Sequence, residues 1–403
     1  MRGNAARRLG IACAVCAVVA PSAAALSPAR TAAATADNPA IRQAVTIAKP
    51  SVVFLYVQIT GSLLDHRDGQ VHGPYTSSSK GSGFFISPNG DIVTATHVVT
   101  PTDDDVHTAL VDRYVIAVTG NQLATNNPTF TAYVNATQPE NVSIDIRVVT
   151  QSMTIPGNAT NDDLERLGLP ATILAQSPVA NLDTSVIHVN RTKQPAILLH
   201  EGETAPAKQS MALMGYPQMA PTFSTAPEID FGIVSDVRAV GSALPPGVGA
   251  LPTKATVIVS SAYSEHGVSG GPGIDTQAQV VGLVSFGAVA GTPIFLVSAD
   301  DISGIVAKSG VTNSLSDADQ QWRNGVAAQQ RGDQSTAIAD FRTCINESPD
   351  NTGCHQQLAQ LTSNSSSGSG PPIVLIVIGA VVLVVVIVGG VGWYLRRPEP
   401  DNY

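Results

Sequence analysis

The stretch GSGFFISPNGDIVTATHVV, Gly81 to Val99, reads as two short strands joined by a tight turn. Phe84, Phe85 and Ile86, then Ile92 and Val93, are the aromatic and β-branched residues that suit a pleated surface. Ser87-Pro88-Asn89-Gly90-Asp91 between them is a hairpin signal. The second strand runs into Thr94-Ala95-Thr96-His97, which sets an imidazole at a strand end. Similar short apolar runs recur on both sides: SVVFLYVQIT (51–60), RYVIAVTG (113–120), FTAYVNAT (130–137), VSIDIRVVT (142–150), TSVIHVN (184–190), SMALMGYP (210–217), DFGIVSDVR (230–238), TVIVSSAY (256–263) and QVVGLVSFG (279–287). Many short strands with turn residues between them predict a mainly β barrel or sandwich over residues 39–312.

Charged residues are sparse, and the formal net charge is −9. With no basic run in this region, nucleic acid is excluded as a partner. The first residues, 1–25, have the layout of an export signal: Arg2, Arg7 and Arg8, then the apolar run Leu9 to Ala20, then the small residues Ala23 to Ala25. Residues 26–38 are small and polar and are expected to be disordered. Cys13 and Cys16 lie in the signal, which leaves Cys344 and Cys354, and two cysteines in an exported chain are expected to pair.

Near the other end, Ile373 to Leu395 is a run of about 23 uncharged residues, long enough to cross a bilayer. Trp393 and Tyr394 stand where an interfacial belt would lie. Arg396 and Arg397 follow, which assigns residues 396–403 to the cytoplasm and the rest to the outside of the cell membrane. Between the β region and this span, residues 316–361 change to a helical period. Gly325, Gly332, Ala337, Phe341 and Pro349 fall at the offsets of one tetratricopeptide repeat, and the pair is read as a spacer or a docking module for a protein partner. Residues 362–372, rich in Ser and Gly, read as a flexible linker.

A serine hydroxyl needs a base within hydrogen-bond reach, and the base needs an orienting carboxylate. Three places in the β region supply these groups. His97 is the first, Asp183 in VANLDTSVIHVN is the second, and Ser269 in SEHGVSGGPGID is the third. Taken singly, each has an ordinary reading as a packed histidine, a turn aspartate or a loop serine.

Together, GSGFF…TATHVV, DTSVI and GVSGGP resemble, in this order, the chymotrypsin-like serine peptidases of the HtrA-like branch. The segments AIRQAVTIAKPSVVFLYV, LMGYP, FGIVSDV and FLVSADDI are also similar to that family, so the resemblance spans most of residues 40–312. It implies a double β-barrel and a serine endopeptidase in which His97, Asp183 and Ser269 are the catalytic triad, acting on polypeptides with no cofactor and no metal. It implies an oxyanion hole from the N–H groups of Gly267 and Ser269, with Gly267 and Gly271 permitting the turn. It further implies that Ser285, Phe286 and Gly287 pair with substrate backbone, and that Tyr263 and Ser264 form the base of the specificity pocket. No acid stands there, so small or medium apolar side chains are expected to be preferred.

The chain departs from the family pattern in three respects. Val268 occupies the place before the serine where digestive relatives carry an acid, which removes their activation switch. The interval from His97 to Asp183 is long, and an extra hairpin and a lid are expected within it. No PDZ-like segment follows the β region. The rival reading from another class is a catalytically silent surface binding protein built on the same scaffold.

Overall fold

A computed structural model describes residues 38–202, 206–216, 224–239, 253–262, 268–286 and 294–365. The expected export signal, the polar segment up to residue 37, the apolar run 373–395 and the tail 396–403 lie outside these residues. Among the described residues no helix is long and apolar enough to cross a membrane.

The first described element is helix α1 (Pro39–Ala48), whose first turn is capped by the Asn38 side chain. The first barrel then closes through six strands: β1 (Val52–Asp65), β2 (Gln70–Phe85), β3 (Asp91–Thr94), β4 (Thr137–Val149), β5 (Leu169–Gln176) and β6 (Ser185–Val189), in the order β1-β2-β3-β6-β5-β4. The hairpin read at 81–99 is the β2–β3 pair, with Phe84 opposite Val93 and Phe85 opposite Ile92. Its turn is closed by Ile86 N–H donating to the Asp91 carbonyl at 2.9 Å. Gly90 has φ +95°, and a Cβ there would lie 2.2 Å from the Val189 carbonyl, so only glycine lets β6 pass this close. β3 stops at Thr94, and a single helical turn, α2 (Thr96–Val99), carries His97.

Six further strands form a second ring: β8 (Ser210–Gly215), β9 (Glu228–Arg238), β10 (Val257–Ser260), β13 (Ile294–Ser298), β12 (Gln279–Phe286) and β11 (Pro272–Ile274). β11–β12 pairing closes it, and β7 (Leu198–Leu199) adds in parallel to β12. Side chains of both barrels share one continuous core, from Ile41 of α1 through Phe84, Ile187 and Met214 to Phe295.

Two segments expected as strands are helical. Residues 113–120 belong to α3 (Asp103–Thr119), and 130–137 fall mostly in α4 (Pro128–Ala136). The apolar run YVIAV is the end of a stripe, Val106, Leu110, Val111, Tyr114 and Val115, that packs on Ile59, Leu63 and Phe130. Its spacing is helical once the start is fixed. That start is a capping box between Thr102 and Asp105, with Asp103 and Asp104 in the first turn, and Gly120 ends the helix in the left-handed conformation. The interval before Asp183 is therefore filled by α3, α4, the long β4 and α5 (Asn161–Leu167), not by an extra hairpin.

After α6 (Ala299–Ser309), helices α7 (Asp317–Gln330) and α8 (Gln334–Glu347) form the expected hairpin. A Cβ on Gly325 would lie 2.5 Å from the Phe341 ring, so the missing side chain lets the helices meet. The hairpin is not a free spacer, because it is fastened to the β region at several points. Trp322 Nε1 donates to the Ile47 carbonyl of α1 at 2.9 Å. Arg323 donates to the Gln277 and Ala278 carbonyls, and buried Asp319 accepts the Ala196 N–H. Ser348 Oγ donates to the Lys193 carbonyl, and Asp350 accepts from Arg191 and Gln194. Cys344 and Cys354 are joined by a disulfide, Cα to Cα 6.3 Å. The last described helix, α9 (Thr352–Ser365), runs into the segment expected as linker from residue 362. The Thr362 and Ser363 hydroxyls donate to the Leu358 and Gln360 carbonyls within it.

Candidate active site

His97 and Asp183 lie 86 residues apart in the chain and meet between α2 and the loop that enters β6. His97 Nδ1 is 2.8 Å from Asp183 Oδ2, and the His97 backbone N–H donates to Oδ1 at 2.9 Å. The carboxylate is 0% exposed, while the imidazole remains 28% exposed. Burial works against a charged ring here, but the Asp183 charge and its hydrogen bond outweigh it, so the His97 pKa is raised. A carboxylate can only accept, so Nδ1 carries the proton and Nε2 is left as the ring's acceptor when the imidazole is neutral.

Asp183 has a third partner from the second barrel. Ser285, on β12, donates its hydroxyl to Oδ2 at 2.5 Å. The sequence assigned Ser285 to a substrate-pairing strand through its backbone, and its spacing gave no sign of this side-chain role. Of Phe286 only the backbone is described; it pairs with Phe295 of β13. Tyr263, Ser264, Gly267 and Gly287 lie outside the described residues.

Ser269 opens the turn that leads to β11, and the turn is held between the first barrel and β12 of the second. The Ser269 carbonyl accepts the Ser82 N–H at 2.9 Å, and Gly270 N–H donates to the Val284 carbonyl at 2.7 Å. Gly270 has φ +85°, and a Cβ there would lie 2.1 Å from the Ser82 carbonyl and 2.4 Å from Thr94 Oγ1. A Cβ on Gly271 would be 2.1 Å from the Met214 carbonyl. Gly270 lets the serine turn reach the β2–β3 hairpin that leads to His97, and Gly271 lets it pass β8, close approaches that any side chain would prevent. His97 and Ser269 thus come from two elements seated on the same hairpin, one from each barrel.

Elsewhere, Asp65, Asp68 and His72 bring ligand atoms within 4.8 Å of one another at the β1–β2 turn. Arg67 engages both Asp65 oxygens and the Tyr114 hydroxyl adds a bond at 2.9 Å, so this carboxylate is already saturated.

A family model described as trypsin-like peptidase domain matches residues 81–283, just over half of the chain. Among solved structures, the chain is similar to the Rv3671c protease in its inactive form, at 19% identity and a TM-score of 0.40, covering 68% of this chain and 97% of that one. It is also similar to an inactive serine-to-alanine mutant of Rv3671c from M. tuberculosis, at 18% identity and a TM-score of 0.39, covering 70% and 94%. No curated protein sequence matches the chain significantly.

Proposed function

Because the chain belongs to the trypsin-like peptidase domain family and is a serine-type peptidase, we propose that it is an endopeptidase whose His97, Asp183 and Ser269 form the catalytic triad. The observation that carries this reading is the bond of His97 Nδ1 to buried Asp183, which leaves Nε2 to act as base. Ser269 Oγ attacks the peptide carbonyl and its proton passes to Nε2. The imidazolium, stabilised by Asp183, returns that proton to the leaving amine, and an acyl-enzyme ester forms. Water then attacks the ester by the same proton path, releasing the acid and restoring Ser269. The N–H groups of Gly267 and Ser269 are the proposed donors to the oxyanion, Tyr263 and Ser264 the proposed pocket base, and Ser285 to Gly287 the proposed substrate strand.

The finer assignments belong to the same proposal: the HtrA-like branch, the tetratricopeptide-like character of α7–α8, export by residues 1–25, and anchoring in the cell membrane by residues 373–395 with the peptidase outside. What supports them is the sequence pattern described above. The test is labelling of the full-length protein with a fluorophosphonate beside Ser269→Ala and His97→Ala. Label is expected on wild type and on neither variant. A folded wild type that takes no label, or a Ser269→Ala protein that takes as much, overturns the reading.

A further inference from the structure

We propose that Thr96, the residue before His97, is a positioning residue that holds closed the loop presenting Asp183 to the imidazole. The inference rests on the triad reading above. Asp183 belongs to the eight-residue loop 177–184 between β5 and β6, where its φ of +47° is the left-handed conformation. A residue with a Cβ keeps that conformation only where its surroundings impose it.

Part of the constraint is internal to the loop. Ser177 N–H donates to the Thr184 carbonyl at 2.8 Å, and the N–H groups of Asn181, Leu182 and Asp183 converge on the Pro178 carbonyl. Thr253 and Lys254 also hold the loop's tip, donating to the Ala180 and Asn181 carbonyls, but neither these bonds nor the internal ones tie the loop to the element that carries His97. Thr96 does so from the element that carries the imidazole. Its N–H donates to the Asp183 carbonyl at 3.2 Å. Its hydroxyl oxygen lies 2.8 Å from the Ser177 carbonyl and 2.9 Å from Ser185 Oγ.

The direction of these bonds follows from the groups involved. A carbonyl only accepts, so the Thr96 proton goes to Ser177, and the Ser185 hydroxyl must donate to Thr96. One side chain thereby joins the loop's entry at Ser177 to its exit at Ser185. Thr96, Ser177 and Ser185 are all buried, so no water replaces a missing partner cheaply. Valine at 96 keeps the shape but strands the Ser177 carbonyl and the Ser185 hydroxyl, whereas serine keeps the relay.

The experiment compares full-length wild type, Thr96→Val and Thr96→Ser, with His97 titrated by NMR and fluorophosphonate labelling timed across pH. The His97 signals are identified by their absence from His97→Ala. In Thr96→Val, His97 is expected to titrate at lower pH than in wild type, and labelling to slow about tenfold, the scale of one lost buried hydrogen bond. Thr96→Ser is expected to restore both. A folded Thr96→Val protein with unchanged titration and unchanged labelling overturns the proposal, even if it melts earlier. If Thr96→Val does not fold, Ser185→Ala removes the donor half of the relay, and it must shift the His97 titration the same way or the proposal falls. A wild type that takes no label while the titration shift persists overturns the triad reading and upholds the role of Thr96.

Discussion

His97 holds its proton to higher pH than a free imidazole, because the gain from Asp183 exceeds the cost of burial. Two consequences differ in sign. The base must be neutral, so labelling of Ser269 is expected to rise with pH through an ionisation above the ordinary histidine value of about 6.5. Stability runs the other way. The folded state binds the proton more tightly, so this contribution is complete below the unfolded value and is lost as pH rises through the folded one. Asp183→Asn is expected to lower that ionisation and to slow labelling by roughly 10⁴-fold, the scale for such a change in a triad; a pH–rate profile of the variant checks both. His97 and Asp183, which meet in the structure, were legible because each stands in a local motif of a few residues. The hydroxyls of Ser285 and Thr96 were not, since their partners lie 102 and 81 residues away and nothing in the spacing pairs them. Gly270 is the residue where the backbone itself is decisive. Alanine there meets both positive φ and the Ser82 carbonyl, so a loss of at least about 1–3 kcal/mol is expected, read from thermal melting, together with loss of label.

At the scale of elements, the strands were easier to read than the helices among them. β1 and β6 announce themselves by β-branched runs and the β2–β3 hairpin by its turn at Ser87 to Asp91, whereas residues 70–80 of β2, rich in Ser, carry no such signal. α3 was misread because its apolar residues cluster in YVIAV at the C-terminal end, while the signal for its start, the Thr102 and Asp105 box, is polar and far upstream. The α7–α8 pair was legible as two helices from its helical period, and Gly325 lies against the Phe341 ring between them. Gly325→Val is expected to force these helices apart at a cost of about 1–3 kcal/mol. Calorimetry would measure this, and an unchanged melting temperature would show that the ring moves freely. Replacing both Cys344 and Cys354 by serine is expected to cost about 2–3 kcal/mol for so short a loop, with reduction of wild type giving a similar shift.

For the whole molecule, α7 and α8 are where local pattern and tertiary structure part. A helical repeat at the end of a β domain reads as a separate module, because local periodicity says nothing about what its faces touch. Trp322, Arg323, Asp319, Ser348 and Asp350 instead bond to α1 and to the connections around β7 and β12. Trp322→Ala is accordingly expected to destabilise the barrels with the hairpin, by about 3–5 kcal/mol, in a single cooperative transition. Two separate transitions would mean that the hairpin melts alone.

The bond between Trp322 and Ile47 also sets an order in time. The first helix of the fold is seated by a side chain that follows it by 275 residues. A chain emerging from its N-terminus can pair β1 with β2 early, since they are neighbours. It cannot complete the seat of α1 until residue 322, beyond both barrels, has arrived. A truncated chain lacking α7 therefore keeps Ile41, Ala44 and Val45 in the barrel core but leaves the end of α1 without its outer fastening.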